Sequence, residues 1–221
     1  MDNLTLVIPA KQEKESLPKV LEELKSFKIK VVIVLEVNDK ETINAIKNYD
    51  CKILYQKNKG YGDALIQGIS NVQTKYFCIF NADGSFDPKE LIHMYNKCVN
   101  QDLDLVFGSR YEKNSGSEDD TLVTYIGNKI FTLIGKIFFS LPITDILYTY
   151  VLGNTEQVKK INLNKKDFSF CIELPIKGRK SGLSLSTYPS FERRRIAGKK
   201  KVNAFRDGLK ILISMIRLYV K

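Results

Sequence analysis

Five short apolar runs, Leu4–Ile8, Val31–Leu35, Lys52–Tyr55, Tyr76–Phe80 and Asp104–Phe107, alternate with segments whose apolar residues recur at helical spacing. In Ser16–Phe27, Leu17, Val20, Leu21 and Leu24 fall on one helical face, and Glu41–Asn48, Gly62–Val72 and Pro88–Val99 continue the series. A run as continuous as Val31–Leu35 suits a strand buried on both faces, which a parallel sheet covered by helices provides. The alternation predicts an α/β fold with a mostly parallel sheet flanked by helices. The 221 residues fit one domain, and no repeat or long linker divides them. We place a domain over residues 1–201 and a C-terminal basic amphipathic helix over 202–221.

Beyond Tyr111 the pattern changes. Glu112–Asp120 is polar and predicts a mobile loop. Leu122–Leu141 predicts a long apolar helix, Glu173–Ser181 another helix, and Leu183–Thr187 a strand. The apolar run Ile130–Leu141 is interrupted by Lys136 and is shorter than the ~20 residues of a spanning helix. Residues 177–221 hold 13 Lys/Arg against Glu192 and Asp207, a balance of +11. The whole chain carries +10, so the remainder stands at −1. A near-neutral body with a basic end points to an anionic partner, either phosphate or a membrane surface, or else the charges form a solvated face. No aromatic platform accompanies the basic run, so nucleic acid is not expected. Cys51, Cys78, Cys98 and Cys171 form no C-x-x-C pair, and His93 is the only histidine. That disfavours a zinc cage, a disulfide framework and a histidine triad. With no signal-peptide pattern, the expected setting is the cytoplasm.

Ligands of open parallel sheets bind outside the carboxyl ends of the strands. Those positions here are Pro9–Glu15, Glu36–Asp39, Asn81–Ser85 and Gly108–Tyr111. Asp83, on a glycine turn, can offer oxygens to Mg2+ or Mn2+, or it can simply shape the turn while Ser85 or Asp87 starts the next helix. Asn58-Lys59-Gly60-Tyr61-Gly62 opens a helix and can either cradle phosphate or serve as a plain helix start. It matches neither common nucleotide fingerprint. Arg193–Lys201 places six cations in nine residues, enough to wrap a diphosphate.

Six segments occur together in one order: V-I-P-A-K-Q-E-K-E from Val7, N-K-G-Y-G-D-A-L from Asn58, F-N-A-D-G-S-F-D-P from Phe80, G-S-R-Y from Gly108, T-D-I-L-Y-T-Y from Thr144, and E-R-R-R-I-A-G-K-K-K-V-N-A-F-R-D-G from Glu192. Over roughly residues 4–210 the chain resembles the family 2 glycosyltransferases, and most closely their dolichyl- or polyprenyl-phosphate sugar synthase branch. The resemblance implies a glycosyltransferase A-type, Rossmann-like fold, a nucleotide-sugar donor such as GDP-mannose or UDP-glucose, a divalent cation and a lipid-phosphate acceptor. By the same resemblance, Pro9, Lys11, Glu13 and Glu36 line the nucleoside. Asn81-Ala82-Asp83 stands in place of the D-x-D motif, with Asp83 and Ser85 as metal ligands. Arg110, Arg195 and Lys201 match cations that hold the donor's diphosphate or the acceptor phosphate, Lys59 lies in the matching N-K-G-Y-G-D-A-L segment as a candidate donor-binding residue, and Asp145 stands near the acceptor. Asn81 replaces the first aspartate of D-x-D, Glu36 an aspartate, and Lys11 an aromatic residue.

From the chemistry, sugar transfer leaves negative charge on the departing diphosphate, which a cation at Asp83 with Arg195 and Lys201 would stabilise. A lipid-phosphate acceptor needs no general base. A hydroxyl acceptor in polysaccharide or lipid assembly needs one, and Asp145 and Glu173 are the candidates. Glu173 reads equally well as a helix-start residue. A non-catalytic nucleotide-sugar binder is a further alternative. The long apolar helix and the C-terminal helix either rest together on an anionic membrane surface or pack on the core.

Overall fold

The computed structural model describes residues 1–198 and 203–220. In chain order the elements are β1 (Leu4–Pro9), α1 (Leu17–Leu24, with a 3₁₀ turn over Lys25–Phe27), β2 (Lys30–Leu35), α2 (Lys40–Ile46), β3 (Lys52–Tyr55), α3 (Tyr61–Ser70), β4 (Tyr76–Ile79), α4 (Glu90–Asn100) and β5 (Leu105–Ser109). There follow β6 (Gly116–Ser117), α5 (Leu122–Phe139), β7 (Val151–Asn154), α6 (Thr155–Lys160), α7 (Phe170–Lys180), β8 (Leu185–Pro189), β9 (Phe191–Glu192) and α8 (Ala204–Val220). Seven strands form one sheet in the order β3-β2-β1-β4-β7-β5-β8, parallel except for β7.

Period-two alternation divides the core between the two faces of the sheet. Leu4, Leu6 and Ile8 of β1 face a cluster closed by Leu17, Val20 and Leu21 of α1 and Leu91 and Met94 of α4. Val7 faces the opposite cluster, with Leu65 and Ile69 of α3 and Ile172 and Ile176 of α7. Each such fully buried side chain contributes about 1.5–3 kcal/mol of transfer free energy.

Four features differ from the sequence reading. Glu112–Asp120 is pinned: β6 pairs in parallel with β9, and the Glu118 amide donates to the Glu192 carbonyl at 2.9 Å. Its partner lies some seventy residues away, beyond the reach of local composition. The antiparallel strand β7, wedged between β4 and β5, has no clear pattern of its own, and its last residue, Asn154, turns directly into α6 by accepting from the Glu156 and Gln157 amides. The C-terminal helix is part of the domain, since Ile211, Met215 and Leu218 of α8 enter the core against α5 and α7. Its opposite face stays exposed, so packing on the core and presenting an apolar surface are both realised. Moreover, α5 is long and apolar enough to cross a membrane by length and composition, although a count from Ile130 falls short, and only 22% of it is buried.

The glycines at the start of α3 serve packing. A Cβ on Gly62 would lie 2.1 Å from the Lys165 carbonyl oxygen, and one on Gly60 the same distance from that of Lys166. The segment 164–167 therefore lies directly across the helix start, where the Asp63 amide donates to the Lys166 carbonyl at 3.1 Å. Gly62→Ala is expected to cost about 1–3 kcal/mol through this clash. Gly127→Ala, in α5 with open space around it, is expected to be neutral or to stabilise by up to about 1 kcal/mol. Urea denaturation of the two variants measures the contrast.

Candidate active site

The chain builds β1, β2 and β3 outward to one side and returns to place β4 on the other side of β1. Loops leaving β1 and β4 consequently diverge and open a crevice at their carboxyl ends, the usual ligand position in such sheets. Pro9 ends β1, and the loop after it is held by neighbouring groups. Lys11 Nζ pairs with Glu36 Oε1 at 3.0 Å, at the exposed end of β2. Gln12, with a φ of +53°, donates its amide to Asp39 at 2.6 Å. The Glu13 amide donates to Thr42 Oγ1, and the buried Glu13 carboxylate accepts from Ser16 Oγ at 2.6 Å. Pro9, Lys11, Glu13 and Glu36 thus share one wall.

The turn after β4 forms the facing wall. Asp83 Oδ1 accepts from the Ser85 amide at 3.1 Å, and Asn81 Nδ2 donates to Ser85 Oγ at 2.6 Å. The segment after β9 lies along this turn, with the Arg193 amide donating to the Ser85 carbonyl and the Ile196 amide to that of Asp83, both at 2.8 Å. Gly84 (φ +83°) permits the approach, since a Cβ there would stand 2.4 Å from Ile196 Cδ1. Arg195 bridges Asp83 Oδ2 at 3.4 Å and Asp119 Oδ2 at 3.0 Å. Burial opposes its charge, and Asp119, Asp83 and Glu13 outweigh that, so its pKa rises.

Ala82 packs in the core and offers no side chain to a ligand. Ser85 is also buried; its hydroxyl and amide are engaged within the turn and its carbonyl by the Arg193 amide, so it shapes the loop and does not present itself as a second metal ligand. Asn81 Oδ1, in contrast, is buried without a partner, as is Arg195 Nε. Among the described residues there is no group of three His, Cys, Asp or Glu side chains that could hold a metal. The available donors are the Asp83 carboxylate and the orphaned Asn81 oxygen. They fit the sparse mode of divalent cations in nucleotide sites, where one or two side chains act with substrate phosphates. Arg195 must then exchange Asp83 for another anion.

Arg110 and Asp145 come together differently from expectation. Asp145 is fully buried, and Arg110 grips it through Nε–Oδ2 at 2.8 Å and NH2–Oδ1 at 3.0 Å, with the Arg110 amide donating to Oδ2 as well. Asn128 of α5 donates to Oδ1. The third arm of Arg110 reaches Glu192 at 3.0 Å, and the guanidinium lies 4.6 Å from the Tyr148 ring centre. Burial opposes the charge, and Asp145 and Glu192 outweigh it, holding the Arg110 pKa well above its ordinary value. Asp145 therefore has no open oxygen for an acceptor proton, and Arg110 is committed to carboxylates rather than to phosphate. Glu173 is likewise fully buried: it accepts from the Asn164 and Lys165 amides and pairs with Lys177 at 2.7 Å. It anchors the 164–167 segment from within α7 and is not a base.

Lys59 is exposed beside a helix start already occupied by the Lys166 carbonyl, so it belongs to no phosphate cradle there. It lines a separate cleft with Lys165 and Lys210. Lys201 lies outside the described residues. Sequence reading missed Asp119, Glu192 and Asn128. For Asn128 a signal exists, as a polar residue on the buried stripe of α5 with Thr132, Gly135 and Phe139.

A mostly parallel sheet with one antiparallel strand, a crevice between β1 and β4 and an aspartate on the turn after β4 define a glycosyltransferase A-type domain. The model of glycosyl transferase family 2 matches residues 5–161, and the chain belongs to that family and is a glycosyltransferase. An uncharacterised protein of Methanocaldococcus jannaschii is 26% identical over 195 residues, covering 85% of this chain and 80% of that one. The UDP-N-acetylglucosamine–dolichyl-phosphate N-acetylglucosaminyltransferase of Methanococcus voltae is 21% identical over 208 residues, covering 83% of each. Glucosyl-3-phosphoglycerate synthase from Mycobacterium tuberculosis, solved with Mn2+, UDP and glucosyl-3-phosphoglycerate, superposes with a TM-score of 0.78 at 10% identity, over 99% of this chain and 80% of that one.

Asp145→Asn is expected to destabilise the fold by about 3–5 kcal/mol, because it strips a buried guanidinium of its bidentate partner. A residue serving only as a base would leave the urea midpoint unchanged.

Proposed function

We propose that the protein is an inverting hexosyltransferase that moves a sugar from a nucleotide sugar, GDP-mannose or UDP-glucose, to a polyprenyl-phosphate carrier. The observation that carries this reading is the state of the two candidate bases. Asp145 and Glu173 are both fully buried with their oxygens taken, which disfavours a hydroxyl acceptor relying on either. A phosphate acceptor is already mostly ionised at neutral pH and needs no base to attack. Its oxygen attacks the anomeric carbon as the bond to the donor diphosphate breaks, and the nucleoside diphosphate leaves with the electron pair.

In this reading Pro9, Lys11, Glu13 and Glu36 bound the nucleoside, and Arg195, released from Asp83, turns its guanidinium to phosphate oxygens. Asp83 and Asn81 Oδ1 would hold a Mg2+ or Mn2+ ion, which supplies neutralisation of the leaving diphosphate. The Mycobacterium synthase with bound Mn2+ and UDP supports a divalent metal, and the Methanococcus enzyme named for dolichyl phosphate supports a lipid-phosphate acceptor. The apolar exposed faces of α5 (Val123, Ile126, Ile130, Ile137) and α8 (Leu209, Leu212, Ile216) support peripheral contact with a membrane in which such a carrier is embedded. Four free cysteines suit a reducing, cytoplasmic side of that membrane.

Calorimetric titration with each donor, with and without Mn2+, tests the donor site. Asp83→Asn is expected to weaken metal-dependent donor binding by about tenfold to a hundredfold, the scale of a lost charge-assisted contact. Unchanged binding would remove Asp83 from the metal role. Transfer to polyprenyl phosphate is expected to level off above about pH 8, where an acceptor phosphate with a second pKa of about 6 is fully ionised. A rate that rises through a further ionisation would instead indicate a general base and a hydroxyl acceptor.

A further inference from the structure

Away from the donor crevice, a cleft of about 460 Å³ opens between the start of α3, the 164–167 segment and α8. Three separate parts of the chain bring cations to it: Lys59 before α3, Lys165 and Lys166 from the segment, and Lys210 and Arg217 from α8. The only acid among its lining residues is Asp167, which caps the Ser169 amide. Lys166 leans toward Asp63 at 3.8 Å, whereas Lys59, Lys165, Lys210 and Arg217 make no ion pair among the described residues. The four cations without such a pair, beside a fifth that leans on Asp63, leave the concavity with excess positive charge, so the cleft is complementary to a phosphate-bearing ligand.

The placement of the cleft on α8 specifies the source. Lys210, Ile213, Ser214 and Arg217 form one stripe of that helix. The stripe lies between the buried stripe of Ile211, Met215 and Leu218 and the exposed apolar stripe of Leu209, Leu212, Ile216 and Tyr219. Tyr219 packs edge-on against Phe138 and Phe139 of α5, so the exposed apolar surfaces of the two helices are joined. A helix lying in a bilayer interface places its apolar stripe among acyl chains and its flanking cations at the depth of the lipid phosphates.

We propose that this cleft binds the phosphate headgroup of an anionic membrane lipid and so fixes the orientation of the protein on the bilayer. The proposal rests on the membrane reading given above and adds to it a defined headgroup site. The segment that completes the cleft is held by Glu173, with the close approach of Gly60 and Gly62, which gives those residues a role in building the site.

Co-sedimentation of the full chain with vesicles tests it. The vesicles are phosphatidylcholine alone, or phosphatidylcholine doped with phosphatidylglycerol. Each cation near an anionic surface contributes about fivefold to binding, so Lys165→Gln/Lys210→Gln/Arg217→Gln is expected to lose about a hundredfold of affinity for the doped vesicles. Lys19→Gln/Lys40→Gln/Lys47→Gln removes the same charge from α1 and the two ends of α2 and is expected to lose no more than a few-fold. Equal losses in the two triple variants would overturn the headgroup site, leaving only a general attraction of a basic protein. Wild-type binding to doped vesicles that the cleft variant retains in full would overturn the site and leave the membrane reading standing. Absence of wild-type binding to either vesicle would overturn the membrane reading itself. Should inorganic pyrophosphate bind the wild type but not the cleft variant in that case, the ligand is a free phosphate and the lipid assignment falls.

Discussion

The organisation of the crevice depends on Arg110, a guanidinium enclosed by Asp145, Glu192 and the Tyr148 ring. These contacts join the end of β5, the segment before β7 and β9, and through Asn128 they include α5. A buried charge costs several kcal/mol unless it is paired, so these parts can come together only with the carboxylates in place. The consequence reaches the donor side. With β9 fixed by Glu192 and its pairing with β6, the next residues, Arg193 to Ile196, run along the Asn81–Ser85 turn and set Arg195 against Asp83.

That arrangement keeps the turn after β4 ordered around Asp83, its acidic residue between Asn81 and Ser85. Arg195 partners both Asp83 and Asp119, so one guanidinium offsets two neighbouring carboxylates. Of the four buried side-chain atoms without a partner among the described residues, Asn81 Oδ1 and Arg195 Nε belong to this turn and the arginine set against it, while Thr155 Oγ1 and Arg193 Nε are the others. The basic end of the chain divides its work. The segment after β9 serves the crevice, and α8 carries cations and apolar residues on separate stripes facing outward.

Much of the scaffold was legible. The strands from Leu4 to Phe107 and their helices follow from periodicity, because each buries its own stripe against the sheet. The alternating contacts of Leu4, Leu6 and Ile8 against Val7 are the physical counterpart of that pattern. What escaped were features whose stabilisation comes from distant partners: β7 between two parallel strands, and the polar segment Glu112–Asp120 held by β9 and Arg195. Local composition describes the second as loop and gives the first no distinct pattern, because the groups that order them lie tens of residues away.

The amino-acid sequence by itself determined the α/β class, the family and the placement of Pro9, Lys11, Glu36, Asn81 and Asp83 at strand ends, since strand burial and motif order are local properties of the chain. Only the tertiary structure decided which charges are available. It withdrew Asp145, Glu173 and Arg110 into saturated pairs, turned Ser85 inward, spent Gly60 and Gly62 on a close backbone approach, and gathered Lys59, Lys165 and Lys210 from three segments into one cleft. The reason is that the chemistry of an ionisable group depends on its burial and its nearest counter-charge, and both are supplied by residues remote in the chain.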